Sequence, residues 1–221
     1  MEKERKNTVL LTVIGIATLL VAIVGATFAY FTAIVTTDET QSTIVVTSSN
    51  GGTSTFTGGD AITVNNIYPK GTLDNNPWAQ KVVTLHYENA NAINPYTYQL
   101  KLHYTNTFAA GQLYYSFTNV TSYCTDYTVT CASATGTATA ATLSGGTTSG
   151  TIGATASSPI TLGSVTIAAN DQKNGGVTHA YVLKISYPDS GTNQNYTGET
   201  KNQEANLTAY VEIVEVPTSN S

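Results

Sequence analysis

The sequence predicts an all-β protein, a β-sandwich of jelly-roll or immunoglobulin-like type, preceded by an N-terminal hydrophobic signal or transmembrane helix. Three observations predict it. Of 221 residues, 40 are threonine and 14 tyrosine, types whose β-branched or aromatic side chains suit a pleated sheet. Several stretches alternate apolar and polar residues with period two, which sends one set to each face of a strand. Gly, Asn, Asp and Pro recur between them, as turns require. Together these give roughly nine to twelve short strands in one domain over residues 30–221.

The elements follow in order. "YFTAIVTTDETQSTIVVTS", residues 30–48, holds two short strand patterns around a polar turn. "SSNGGTSTFTGGD", 48–60, reads as a Gly/Ser/Thr turn region, and "AITVNNIYPKG" as a short strand with a proline turn. In "KVVTLHYEN", Val83, Leu85 and Tyr87 alternate with Thr84, His86 and Glu88; in "YTYQLKLHY", Tyr96, Tyr98, Leu100, Leu102 and Tyr104 alternate with polar neighbours. The intervening "ANAINP" suits a turn, so the pair is expected to form a hairpin with one wet face. "QLYYSFTNV" is a further strand. Residues 132–159 are low in complexity with mostly alanine as the apolar type, and are expected to form a flexible excursion with at most one weak hairpin. "ITLGSVTIAAND", "HAYVLKISY" and "NLTAYVEIVEV" supply the last strands; Tyr181, Leu183, Ile185 and Tyr187, and then Leu207, Ala209, Val211 and Ile213, are expected to face inward.

The N-terminus sets the expected compartment. Lys3, Arg5 and Lys6 precede an uncharged run from Thr8 to Thr37, strongly apolar over Val9–Val24 and closing on "GATFA". A basic start, an apolar centre and small residues at the −3 and −1 positions describe a secretory signal cut between Ala29 and Tyr30 by a signal peptidase. The competing reading is an uncut anchor, with residues 8–29 in the membrane and the basic end in the cytoplasm. Either reading places residues 30–221 outside the cell, secreted or tethered at its surface. Charged residues make up 10% of the chain, against roughly 25% in ordinary domains, so the surface must be polar through hydroxyls and amides. Without residues 1–29, six Lys/Arg and twelve Asp/Glu remain, a formal charge of −6. An acidic domain with no basic stripe is a poor partner for nucleic acid.

"GATFAYFT" resembles the signal end of the TasA–camelysin family, secreted bacterial surface and biofilm-matrix proteins with a dedicated signal peptidase. "THAYVLKISYPDSGTNQNYTGETKNQEANLTAYVEI", residues 178–213, is similar to that group's closing pattern; the middle of the chain has no evident counterpart. The resemblance implies a matrix or surface role and assembly into fibres. A cut after Ala29 would expose "YFTAIVTT", a β-prone end with no charge before Asp38. Such a strand can lie in its own sheet or be donated to the next subunit. Donation through Tyr30, Phe31, Ile34 and Val35 would make a pilus-like homopolymer, because head-to-tail contacts of this kind stay open.

Candidate chemistry is sparse. Cys124 and Cys131 bracket "TDYTVT", and in an exported chain they suggest a disulfide; two free thiols or a thiol pair between chains are the alternatives. If Leu85 pairs with Tyr104, His86 and His103 stand side by side and could hold a metal weakly, or simply be solvated polar positions. The family resemblance brings a metalloprotease option, but no His-Glu-x-x-His is present, so no protease activity is carried over. There is no Gly-x-Ser-x-Gly elbow, and "GGTTSG", 145–150, lacks the lysine of a phosphate loop. Asp60, Asp171, Asp189 and Glu204 fall in turns, where calcium binding competes with ordinary turn chemistry. Asn119, Asn195 and Asn206 begin Asn-x-Ser/Thr triplets of the kind a threonine-rich chain produces by chance. Tyr114, Tyr115, Tyr123 and Tyr127 cluster around the cysteines, either as a glycan- or protein-binding surface or as an inward face. The expectation is a non-enzymatic protein without a cofactor or resident metal.

Overall fold

A computed structural model describes Ile16, Thr18 and residues 43–47, 51–65, 67–70, 77–124, 136–153, 159–189 and 205–216. The chain divides into two units, Met1–Thr40 and Gln41–Ser221. In the first, Ile16 and Thr18 are helical and exposed. Among the described residues no helix is long and apolar enough to cross a membrane. The expected cleavage point, Ala29–Tyr30, and the expected assembly strand with Phe31, Ile34 and Val35 lie outside the described residues.

The second unit is all-β and antiparallel throughout its described pairings. A six-stranded sheet runs in the order β1 (Thr43–Thr47), β2 (Thr53–Thr57), β4 (Ala79–Glu88), β11 (Val177–Ser186), β6 (Leu113–Val120), β9 (Ser149–Ile152). A four-stranded sheet runs β10 (Ile160–Ile167), β5 (Tyr96–Asn106), β12 (Asn206–Val216), β3 (Ile62–Asn65). A small ribbon joins β7 (Ser122–Tyr123) to β8 (Gly136–Thr137). Alternation decides what each strand contributes. Val83, Leu85 and Tyr87 of β4 and Tyr96, Tyr98, Leu100 and Leu102 of β5 are buried, with Leu207, Ala209 and Val211 of β12, in a single core shared by both large sheets. Ile213 packs against that core from its margin.

The expected hairpin between residues 81–89 and 96–104 does not form. β4 pairs with β2 and β11, while β5 pairs with β10 and β12, so the two strands lie in different sheets. Leu85 sits opposite His179 and Phe56, and Tyr104 opposite Ala209. Alternation specifies a strand's inward face, not its neighbour; two apolar faces across a core satisfy it as well as two side by side. The turn region expected at 48–60 also needs correcting, because β2 occupies 53–57 between β1 and β4, with Phe56 in the core. One phenylalanine among threonines and serine gives a weak periodic signal, and tertiary pairing completes the strand.

β11 differs from a half-wet strand in another way. Ala180, Val182 and Ser186 are buried together with Tyr181, Leu183 and Ile185. Its place between β4 and β6 accounts for the near-continuous burial. Within the low-complexity stretch, residues 136–153 hold β8 and β9, and β9 pairs with β6 rather than closing a hairpin of its own. Residues 144–147 also run along the outer edge of β10: Ser144 and Ser164 exchange backbone hydrogen bonds of 3.0 and 2.8 Å, and the Thr147 N–H donates to the Thr161 carbonyl at 2.9 Å. Gly146 permits this approach, since a Cβ there would collide with the backbone of Leu162 and Gly163.

Candidate functional site

The sequence candidates scatter. His86 is in β4, where its Nδ1 lies 3.0 Å from the Thr178 hydroxyl. His103 is in β5, its Nε2 2.8 Å from a Glu212 carboxylate oxygen and its ring stacked on Tyr210 at 4.8 Å. They sit in opposite sheets, so the pairing that would have joined two imidazoles is absent. Among the described residues no group of three or more His, Cys, Asp or Glu could hold a metal ion. The main-chain oxygen of Asp60 already accepts the Lys81 ammonium at 2.6 Å, which disfavours calcium there. Asn119 is structural: its Nδ2 donates to the Ala180 carbonyl and its Oδ1 accepts the Ala141 N–H, both at 3.0 Å. Asn206 is an exposed residue at the start of β12, and Asp189 is exposed. Tyr115 is 3% exposed and its hydroxyl donates to the Thr147 carbonyl, so it belongs to the core; Tyr114 and Tyr123 are half-buried. Cys124 follows β7, and the described residues include no free cysteine. Cys131, Tyr127, Asn195 and Glu204 lie outside the described residues.

The structure assembles a different constellation. Tyr98 on β5 crosses the core between the sheets, and its hydroxyl lies 2.7 Å from His179 Nδ1 and 2.6 Å from the Tyr181 hydroxyl, both on β11. Tyr181 in turn stacks on Phe117 with ring centroids 5.0 Å apart. Protons can be placed on this chain by satisfaction alone. If Tyr181 donates to Tyr98 and Tyr98 donates to His179 Nδ1, every hydroxyl hydrogen has an acceptor. The reverse order leaves the Tyr181 hydroxyl hydrogen aimed at nothing in a buried site, an arrangement costing about 1–3 kcal/mol. The chain therefore runs Tyr181 to Tyr98 to His179, with the imidazole proton on Nε2. Burial raises the Tyr98 phenol far above its ordinary range, with Tyr181 adding to the rise. Burial likewise pushes Tyr181 up to about 12, partly opposed by its bond to Tyr98. Burial lowers His179, with the Asp171 carboxylate partly opposing. All three are neutral near pH 7.

His179 lines a cleft of about 450 Å³. One wall is the segment 139–142, fixed at its start where the Ala138 and Thr139 N–H groups donate to the Thr121 and Thr178 carbonyls at 2.9 and 2.7 Å. The other is the end of β10 and the β10–β11 connection, which carries Asp171. That connection is held from within: the fully buried Gln172 donates Nε2 to the Asn94 and Ile167 carbonyls at 2.9 and 3.0 Å. Asn174, Gly175 and Gly176 follow with φ of 57°, 94° and 69°, and a Cβ on Gly176 would strike the Tyr87 carbonyl and Glu88. His179 was legible as inward-facing, since it shares parity with Tyr181, Leu183 and Ile185. Its tyrosine partner on β5 was not, because the bond spans 81 residues and two sheets.

The edges of the sheets form the second feature. β12 pairs with β5 over Leu207–Val216 but with β3 only over Asn206–Ala209. No described strand pairs with residues 211–214 on the side that β3 occupies. No family model, curated protein or solved structure matches the chain.

Proposed function

We propose that this is an exported structural protein of the cell surface or extracellular matrix, whose subunits join into fibres by donating the N-terminal strand, residues 30–37, to a neighbour. The observation that carries the reading is the mismatch between a four-residue β3 and an eleven-residue β12. β3 leaves residues 212–214 of β12 without a described strand on that side, and strand addition by main-chain bonding would take place there, next to Gly58, which lies beside the Val211 carbonyl. The basic, then apolar, then small-residue leader supports export, and the "GATFAYFT" and 178–213 resemblances to the TasA–camelysin family support a matrix role. The order β4–β11–β6–β9 opposite β10–β5, with the chain alternating between the two large sheets over β2–β6 and again over β9–β12, supports the jelly-roll form of the sandwich. A disulfide between Cys124 and Cys131 fits an oxidising exterior.

Electron microscopy of the chain beginning at Tyr30 tests this, with a second chain lacking residues 30–37. Filaments from the first and none from the second are the expected result. Dispersed particles from both, across several salt and pH conditions, contradict donation. N-terminal sequencing of the exported protein separates a free subunit starting at Tyr30 from one tethered through residues 8–29.

A further inference from the structure

We infer that the His179 cleft binds a neutral polyhydroxylated ligand, one or two residues of a glycan. The inference is independent of fibre formation. His179 is 5% exposed, its Nδ1 is committed to Tyr98, and its Nε2–H has no partner among the described residues although the ring lines the cleft. His179 Nε2 is not among the solvent-inaccessible unpartnered atoms, so it is open to the cleft, where a ligand's acceptor oxygen can take the place of water. Asp171, on the facing connection, supplies the opposite need: a carboxylate that accepts from adjacent hydroxyls. Thr139, Thr142 and Thr166 line the cleft with groups that both donate and accept, and Ala141 adds an apolar patch for the C–H face of a sugar ring.

Charge selects the class. Neither Lys nor Arg lines the cleft, Asp171 does, and the chain carries a net charge of −5, so a phosphate or carboxylate ligand is repelled. An amine would satisfy Asp171 and leave the Nε2–H donor unmet. A sugar hydroxyl serves both. The volume of about 450 Å³ lies toward the small end of ligand sites, which run roughly 300–1,000 Å³. With no aromatic platform among these walls, affinity is expected on the order of 1 mM.

The test is titration of the full chain with glucose, galactose, N-acetylglucosamine and their β-linked disaccharides, following the ring nitrogens of His179 by long-range nitrogen–proton NMR. His86 and His103 serve as internal references. The expected result is a saturable shift of Nε2 with at least one neutral sugar. Asp171→Asn is expected to weaken it about tenfold, and Ala140→Trp, at an exposed wall position, to abolish it with the remaining spectrum unchanged. No Nε2 shift with any sugar up to roughly 100 mM overturns the inference. So does a shift that survives both substitutions, or one produced by butylamine or inorganic phosphate but by no sugar.

Discussion

At the scale of single residues, Tyr98 is the side chain on which most depends. It is the one hydroxyl that both receives from Tyr181 and gives to His179. Tyr98→Phe leaves a buried acceptor on His179 and a buried donor on Tyr181 without partners, each worth roughly 1–3 kcal/mol. Tyr181→Phe removes only the incoming bond, so urea unfolding should show the larger loss for Tyr98→Phe. The shifts also set a pH dependence. His179 is lowered in the folded state, so the unfolded chain takes up its proton first as the solution is acidified. Its contribution is fully present above about pH 6.5, the ordinary histidine value, and drains away below it until the folded pKa is passed. The two phenols act in the opposite sense: their folded values are raised, so stability falls as pH rises above about 10, where the unfolded chain ionises. Unfolding midpoints should therefore form a plateau between these limits. In His179→Gln the acid-side descent should become shallower.

At the scale of elements, alternation was a sound guide to what is a strand and which face is wet, and a poor guide to partners. β4 and β5 are the clearest period-two runs, and the turn-like "ANAINP" between them invites a hairpin, yet each strand found its neighbours elsewhere. β2 and the 144–147 strip were harder still, because their composition is that of a loop and only pairing orders them. The strip covers an edge strand that would otherwise present unpaired backbone groups. Gly146→Ala should push it off β10, and amide exchange at Ser164 should then accelerate while that of Leu183 in central β11 stays slow. Gly150→Ala is the control, since a Cβ there meets only the Tyr115 ring at an ordinary 3.5 Å. If Cys124 and Cys131 are joined, the short ring contributes about 2.5 kcal/mol. Intact mass should then rise by two hydrogen atoms on reduction with a phosphine, and the unfolding midpoint should drop.

At the scale of the whole molecule, the two sheets close one core, and what differs between their outer edges decides how the protein can meet others. β10 is covered by its own chain, whereas β3 spans only the first four residues of β12. The sequence by itself determined that this is an all-β chain, which faces of its longer strands turn inward, and that its surface is poor in charge. These follow from residue type and a period of two, both local properties. Only the tertiary structure decided that β4 and β5 belong to different sheets, that His86 and His103 stay apart, and that Tyr98 reaches His179 and Tyr181 at the foot of a cleft. Those contacts join positions 81 and 83 residues apart. Their partners are chosen by the packing of two sheets against each other, and no local pattern records that choice.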